Sequence, residues 1–401
     1  MTMILNAKLS YIGEFFLLYE LERMSYVNYT IIATCAMGIE AILAKEVRDL
    51  GYECEVENGR VTFRGDARDV AKANMWLRTA DRIRLEIGRF RAKTFDELFE
   101  GTLQLPWEQF ISVDAAFPVS GKSVQSTLFS VPDCQGIVKK AVVERLKRKY
   151  RQVTWFEEQG APVPIEIALR KDMAVLTIDS SGTGLHKRGY RLEQGEAPIK
   201  ETLAAALVQL TNWFPDKPFV DLFCGSGTIA IEAALIGQNI APGFNRSFAC
   251  ELWKMFPKSV WEEVRQEADD SADYGKELQI FGSDLDPKMI EIAKANALEA
   301  GLYDAIQWKQ MRASDFKTTD ENGVIVCNPP WGERMGKREV ESLYSELGET
   351  LKPYETWSVY VLTGDEQFEE HYGKKATKKR KLFNGFIRTD FYQYWGKRPK
   401  K

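Results

Sequence analysis

Residues 219–237 read FVDLFCGSGTIAIEAALIG, and this stretch decides the fold. An apolar run passes Asp221, turns at Gly225 and Gly227, and continues from Thr228 into a segment with helical character. Glycine lets a backbone approach a ligand closely, and the helix that follows presents amides with no partner inside it. By itself the motif is open to three readings: a methyl-donor site, a nucleotide site or a structural turn. It lacks the third glycine of G-x-G-x-x-G, and no phosphate-clamping lysine follows as in a P-loop.

Working outward, LQIFGSDL (278–285), VIVCNPP (324–330) and WSVYVLT (357–363) are further apolar runs. The first two, like the opening stretch, end in small or acidic residues where a crossover can begin. Runs apolar on both sides, alternating with helical segments, indicate an open, mostly parallel α/β sheet beyond residue 200. Ligands of such sheets bind outside the carboxyl ends of the strands, where Asp221, Asp284 and Asn328 fall. A carboxylate at Asp284 can accept both hydroxyls of a ribose, and Asp286 reads as the cap of a helix beginning at Pro287. In MRASDF, residues 311–316, Asp315 is either an acceptor for an adenine amine or an ordinary turn acid.

The most specific signal is VIVCNPPWGER, residues 324–334. Pro329 and Pro330 remove backbone donors and stiffen the turn, which leaves the Asn328 side-chain oxygen and the Pro329 carbonyl free to accept hydrogens from a planar amine. Trp331 can stack on the base that bears the amine. Such a loop aligns a weakly nucleophilic exocyclic nitrogen with a sulfonium methyl and favours the transition state in which positive charge grows on nitrogen. It needs no strong general base and no metal. The base has to reach the pocket, by extrusion or from a single strand.

Upstream, YTIIA (29–33) and the segment after it predict a strand and a helix, and CEVENGRVTFRG (54–65) two strands about an Asn58-Gly59 turn. DARDVAKANMWLRTADRIRLEIGRF adds a helix and a strand. Residues 93–110 read as a broken helix, VDAAFPV (113–119) as a strand, and 134–152 as a helix with Ile137, Val142, Val143 and Leu146 as its apolar stripe. The other side of that helix carries Lys139, Lys140, Arg145, Lys147, Arg148, Lys149 and Arg151 against the single acid Glu144. It is either a surface that follows a phosphate backbone or a solvated face. PVPIEIALRKDMAVLTIDSSG supplies two strands about Lys171-Asp172. The run KKATKKRK (374–381), with Lys374, Lys375, Lys378, Lys379 and Arg380, reads as a loop ahead of a hairpin arm, NGFIRTDFYQYW, and is weighed in the same two ways. His371 reads as a surface or capping residue and His186 as a linker contact.

The chain has 401 residues, so about 150 per domain predicts two or three domains. Hydrophobic residues make up 44% and charged residues 28%, which excludes disorder as the main state. Lys and Arg number 54 against 58 Asp and Glu, a net charge of −4, so any nucleic-acid surface has to be local. Six cysteines without a CxxC pair and two histidines make a zinc or disulfide framework improbable. No run is long and apolar enough to span a bilayer and no cleavable leader is evident, so the expected location is cytoplasmic. Residues 1–23 read as an extension upstream of a natural start at Met24.

DLFCGSGT, GSDLDP and NPPWGER together resemble the Rossmann-like methyltransferases that act on exocyclic amines with S-adenosylmethionine. GLHKRGYRLEQGEAPIKETLAAAL (184–207) is similar to the linker of the large-subunit ribosomal RNA guanine-N2 methyltransferases that carry an RNA-binding THUMP domain, often labelled N6-adenine-specific DNA methylases. The resemblance runs from about Tyr29 to Trp395. It implies an α+β ferredoxin-like unit at 27–90, a THUMP domain at 91–182, a linker at 183–200 and a Rossmann-like catalytic domain at 201–397. It also implies S-adenosylmethionine held by Asp221, Gly225, Gly227, Asp284 and Asp315, with Arg188, Tyr190, Lys200 and Thr202 lining the donor pocket from the segment before the first catalytic strand. Asn328, Pro329, Pro330 and Trp331 would then be the catalytic residues, with tryptophan where related enzymes have tyrosine or phenylalanine. The implied partner is large-subunit ribosomal RNA. Adenine-N6 methylation of DNA or RNA shares the NPPW chemistry, and an RNA-binding protein without turnover is the remaining alternative.

Overall fold

A computed structural model describes residues 28–152, 156–192, 199–331, 336–385 and 387–397, so the extension at 1–23 lies outside the described residues. Seven strands form the N-terminal sheet: β1 Tyr29–Thr34, β2 Cys54–Glu57, β3 Arg60–Gly65, β4 Arg82–Arg91, β5 Val119–Val124, β6 Ile165–Arg170 and β7 Met173–Asp179. Their order is β2-β3-β1-β4-β7-β6-β5, antiparallel except for the parallel β5/β6 edge. The ten-residue strand β4 pairs with β1 through Leu85↔Ile31 and with β7 through Arg91↔Met173, so the two expected N-terminal units share one sheet.

Local chemistry explains the turns. Gly59 has φ +74°, and Lys171 and Asp172 have φ +51° and +62°, the left-handed pair that a two-residue hairpin between right-twisted strands requires. The VDAAFPV segment departs from expectation: Ala116↔Pro162 is an isolated bridge, and the ladder begins only at Val119↔Ile165. Pro118, Pro162 and Pro164 have no N–H to give, so before Val119 the pairing is limited to the bonds that Ala116 makes with Ala161 and Val163.

Four helices accompany this sheet: α1 Glu40–Asp49, α2 Ala67–Trp76, α3 Phe95–Leu103 and α4 Val131–Tyr150. Asp66 and Thr94 cap α2 and α3 with reciprocal bonds to the third helical residue. Helix α4 buries Cys134, Val138, Ala141, Val142 and Leu146, while Ile137 and Val143 only flank that face. Arg151 ends it in the left-handed region at φ +52°.

The second sheet contains β8 Phe219–Asp221, β9 Ile280–Asp284, β10 Ile306–Gln310, β11 Val324–Cys327, β12 Ser358–Thr363, β13 Lys378–Asn384 and β14 Ile387–Tyr394. The order is β10-β9-β8-β11-β12-β14-β13, with the first five parallel and the last two antiparallel. Strand order reverses at β8, which lies between β9 and β11; this is the switch point where open α/β sheets bind ligands. Phe219, Val324, Val326, Tyr360 and Leu362 join one core, and Val220, Ile325, Cys327, Val359 and Val361 join another on the opposite face. Covering helices include α5 Glu201–Gln209, α6 Thr228–Gly237, α7 Lys258–Asp270, α8 Pro287–Glu299 and α9 Lys337–Leu351; α10 Phe368–Tyr372 is a single turn. The KKATKKRK run is not wholly a loop, because Lys378–Lys381 open β13 and pair with Asp390–Gln393.

The larger core continues from the first sheet into the second. Polar contacts lock the junction: the Arg78 guanidinium donates to the Ile240 carbonyl at 2.8 Å, and the Thr202 hydroxyl to Asp81 at 3.0 Å. Gly38, at φ +97°, is needed there, because a β-carbon would stand 2.6 Å from the Lys381 carbonyl oxygen.

Candidate functional site

A cavity of about 960 Å³ opens at the carboxyl ends of β8, β9 and β11. Asp221, Gly225, Asp284, Asn328 and Pro330 line it, so three strand ends distant in sequence meet at one site.

Asp221 is buried at the end of β8. One carboxylate oxygen accepts the Phe223 amide at 3.1 Å, and the other is buried with no hydrogen-bond partner. Burial, reinforced by the charge of Asp284, pushes its pKa up to about 8. A buried carboxyl of this kind takes up a positive charge readily, because a cation repays the desolvation that otherwise keeps it protonated. Gly225, at φ +50°, has open space where a β-carbon would be, and its amide donates to Asp284 at 3.0 Å. The second Asp284 oxygen accepts the Asp286 amide at 2.9 Å, and Asp286 in turn caps α8 through the Lys288 amide. One carboxylate therefore fixes both the glycine turn and the start of α8. Gly227 plays a different part: it is the left-handed N-cap of α6, and a β-carbon would lie 2.7 Å from the Trp308 ring.

Asn328 follows β11, and its side-chain oxygen is the second buried acceptor of the cavity without a partner among the described residues. The Pro330 carbonyl accepts from the Tyr344 hydroxyl at 3.3 Å, and that hydroxyl also bonds Thr363 at 2.9 Å. Helix α9 thus braces the proline turn; Pro329 is buried and, unlike Asn328 and Pro330, does not border the cavity. The half-buried Trp331 indole lies against Gly364, where a β-carbon would come within 2.5 Å of the ring; it does not border the cavity.

Three of the four pocket residues expected from the segment before β8 belong to the junction. Arg188 and Tyr190 converge on the fully buried Glu232, at 3.4 and 3.0 Å, and Arg188 also donates to the Leu185 and Arg78 carbonyls. Thr202 bonds Asp81, and Lys200 is the exposed residue before α5; its neighbour Ile199 lines the cavity instead. Asp315 is exposed and outside the lining, while Ala313 and Ser314 border it. Glu339, Ser342 and Glu346 of α9 also line the cavity and are missing from the sequence reading; their i, i+3, i+7 spacing on one helix face is the signal that could have found them. His371 lies 3.3 Å from Asp365, and burial lowers the pKa of His186 in the linker to about 4.

The basic residues divide. Lys139 donates to Glu158 at 2.6 Å and sits over the Phe117 ring, and Arg145 makes a two-bond fork with Glu108 at 2.9 and 2.7 Å. Lys147 pairs with Glu144 at 4.0 Å, Lys379 lies 3.4 Å from Asp390, and Arg380 reaches the Gly38 carbonyl. These side chains hold the fold together, a use that charge counting cannot separate from ligand binding. Lys140, Arg148, Lys149, Arg151, Lys374, Lys375 and Lys378 have no ion pair among the described residues.

Family models match in chain order: an RlmL ferredoxin-like domain over residues 30–84, a THUMP domain over 92–179 and an RMKL-like methyltransferase domain over 188–393. YpsC of Bacillus subtilis (strain 168), provisionally named an RNA methyltransferase, is 64% identical across 93% of this chain and 98% of its own length. The ribosomal RNA large subunit methyltransferase K/L of Psychromonas ingrahamii is 32% identical over 90% of this chain, which spans 49% of that longer protein. A Listeria monocytogenes structure described as a predicted N6-adenine-specific DNA methylase superposes with a TM-score of 0.90 at 58% identity, covering 94% of this chain and 98% of that one. SMU.472, provisionally described as a methyltransferase and complexed with SAH, gives 0.89 at 51% identity, covering 93% and 99%.

Proposed function

The chain belongs to the RMKL-like methyltransferase family, with S-adenosylmethionine as its cofactor, and from that premise we propose that it methylates the exocyclic N2 amine of a guanine in 23S ribosomal RNA. The observation that carries this reading is the pair of buried, unpartnered acceptors, Asp221 and Asn328, on one cavity at the ends of neighbouring strands. The first suits a cationic donor and the second a planar amine. Gly225, open where a side chain would intrude, suits the close approach of the donor's methionine end.

When bound, S-adenosylmethionine supplies an electrophilic sulfonium methyl group. Asp221 balances its positive charge, and Asp284 holds ribose hydroxyls while keeping the glycine turn in place. Asn328 and the Pro329 carbonyl accept the two amine hydrogens, aiming the nitrogen lone pair at the methyl and stabilising the charge that grows on nitrogen. Pro330, tied to Tyr344, keeps that geometry stiff. Trp331, packed on Gly364 beside the cavity rather than in it, supports the turn that carries Asn328. The amine proton leaves to solvent after transfer, so no strong base is required.

The N-terminal sheet, assigned to 27–90 and 91–182, carries the RNA toward the 201–397 domain through the 183–200 linker. Among the expected basic contacts, Lys140, Arg148, Lys149, Arg151, Lys374, Lys375 and Lys378 are available to phosphates. A ribosomal substrate places the reaction in the cytoplasm; among the described residues no helix is long and apolar enough to cross a membrane. Labelled methyl transfer to ribosomal RNA from cells lacking this protein, followed by nucleoside identification, tests the reading. N2-methylguanosine is the expected product. N6-methyladenosine would replace the assignment with the adenine alternative, and absence of transfer would refute both.

A further inference from the structure

The donor cavity runs further than the contacts named above. The glycine turn follows β8, Asp284 ends β9, and β10 lies on the far side of β9. A ribose held at Asp284 therefore directs its base toward the residues after β10. There the lining turns apolar: Leu285, Met311, Ala313, Leu343 and Leu347. Leu343 and Leu347 belong to α9, which follows β11, yet they share one core cluster with Met311 and Ala313. Just beyond α9, the Tyr354 hydroxyl donates to the Phe316 carbonyl at 3.2 Å. Helix α9 thus reaches across the sheet and closes the cavity against the 311–316 segment. Leu285, next to Asp284 in the chain, lines the same end and is 59% exposed.

An adenine ring needs two things from such a place: apolar cover for its faces and an acceptor for its 6-amine. The acid expected to accept that amine, Asp315, lies outside the lining, and the Arg312 side chain that borders the cavity can only donate. Other carboxylates on the cavity are already committed. Asp286 caps α8, and Glu339, two turns before Glu346 on α9, accepts the Gly336 amide at 3.2 Å. Glu346 differs from both. It lies on the α9 face that carries Leu343 and Leu347, borders the cavity, is exposed, and has no ion pair among the described residues. The Ser342 hydroxyl, one turn earlier and also on the lining, donates to its carboxylate at 3.3 Å and steadies it.

We propose that Glu346 accepts a hydrogen bond from the adenine 6-amine of S-adenosylmethionine, with Leu285 covering one face of the ring and Leu343 and Leu347 the other. The contact expected at Asp315 then moves to a helix that begins beyond the proline turn. The proposal rests on the donor assignment above and is independent of which base is methylated.

Calorimetry on the full chain tests it with two ligands, S-adenosylhomocysteine and its 6-deamino analogue, in which hydrogen replaces the amine. The parent should prefer the first roughly tenfold, the size of one hydrogen bond to a charged group. Glu346→Ala should remove that preference by weakening S-adenosylhomocysteine roughly tenfold while the analogue stays within about twofold of its parent affinity. Glu346→Gln, which keeps an amide oxygen, should retain part of the preference, and Asp315→Ala should bind both ligands as the parent does. A parent-sized preference in Glu346→Ala would overturn the proposal, even if both affinities fell together, because a merely structural role lowers the two alike. A preference lost in Asp315→Ala would overturn it too. No turnover enters these measurements, so a parent that binds S-adenosylhomocysteine but methylates no guanine sinks the reaction assignment alone. A parent that binds neither ligand sinks the donor assignment and this proposal with it.

Discussion

The two seven-stranded sheets are built on opposite principles. In the C-terminal sheet, alternate residues of each central strand feed two separate cores, and two buried acceptors without partners, Asp221 and Asn328, meet at strand ends on one cavity. In the N-terminal sheet, the THUMP half buries one face, and on the other only the end row with Arg91, Met173, Arg170 and Val124 stands in water across all four strands. The first arrangement excludes water and suits chemistry on a small group. The second offers area and charge, and suits holding a large polyanion. Rate should therefore depend on the C-terminal sheet and RNA affinity on the N-terminal one.

The sharpest challenge to that division is Asn328→Ala, expected to lower kcat by roughly 10²-fold or more while leaving donor and RNA binding intact, because it removes a preorganised acceptor of the transition state. Single-turnover transfer together with calorimetry reads both quantities, and unchanged turnover would break the comparison. Asp284→Ala comes next: it frees the Gly225 amide and removes the ribose acceptor, so donor affinity should fall about 30-fold with RNA affinity constant, by analogy with losing hydrogen bonds to a charged group.

Asp221 sharpens the comparison through pH. Its pKa is raised to about 8 in the folded chain, so the stability of the unliganded protein should fall as pH rises from about 4 through 8, and Asp221→Asn should flatten that slope. A cationic donor selects the ionised carboxylate, so affinity should rise about tenfold between pH 7 and 9 in excess of any rise in Asp221→Asn. Donor binding at pH 7 should release close to one more proton in the parent than in the variant, measured by calorimetry in buffers of different ionisation enthalpy. The smallest effect is expected from Arg145→Gln. It breaks the fork to Glu108 and should cost about 1 kcal/mol of stability by denaturant titration, with RNA affinity changed less than twofold. A large loss of RNA binding there would return Arg145 to the interface beside Lys140, Arg148 and Lys149.

Much of the catalytic sheet was legible because its strands are short apolar runs ending in residues whose chemistry is distinctive, Asp221, Asp284 and Asn328. Strand β10, IQWKQ, was not, since it is an edge strand with polar residues and little periodicity. Lys378–Lys381 were read as loop for a similar reason: β13 is the outer strand and can carry charge along its exposed positions. The resemblance implied Arg188, Tyr190 and Thr202 at the donor pocket, and the chain bonds them to Glu232 and Asp81 at the interdomain junction. Position along a linker does not specify where its side chains project.

The sequence by itself determined the two kinds of sheet, the glycine turn and the proline turn, because periodicity, φ preference and missing donors are local properties of the residues concerned. Only the tertiary structure decided that one strand, β4, joins both N-terminal units into a single sheet, and that Lys139 and Arg145 are spent on Glu158 and Glu108. It alone brought Arg91, Met173, Arg170 and Val124 into one row. Pairing partners far apart in sequence are chosen by the packing of the whole chain, and a charge reveals whether it is free only when everything that could neutralise it is in place.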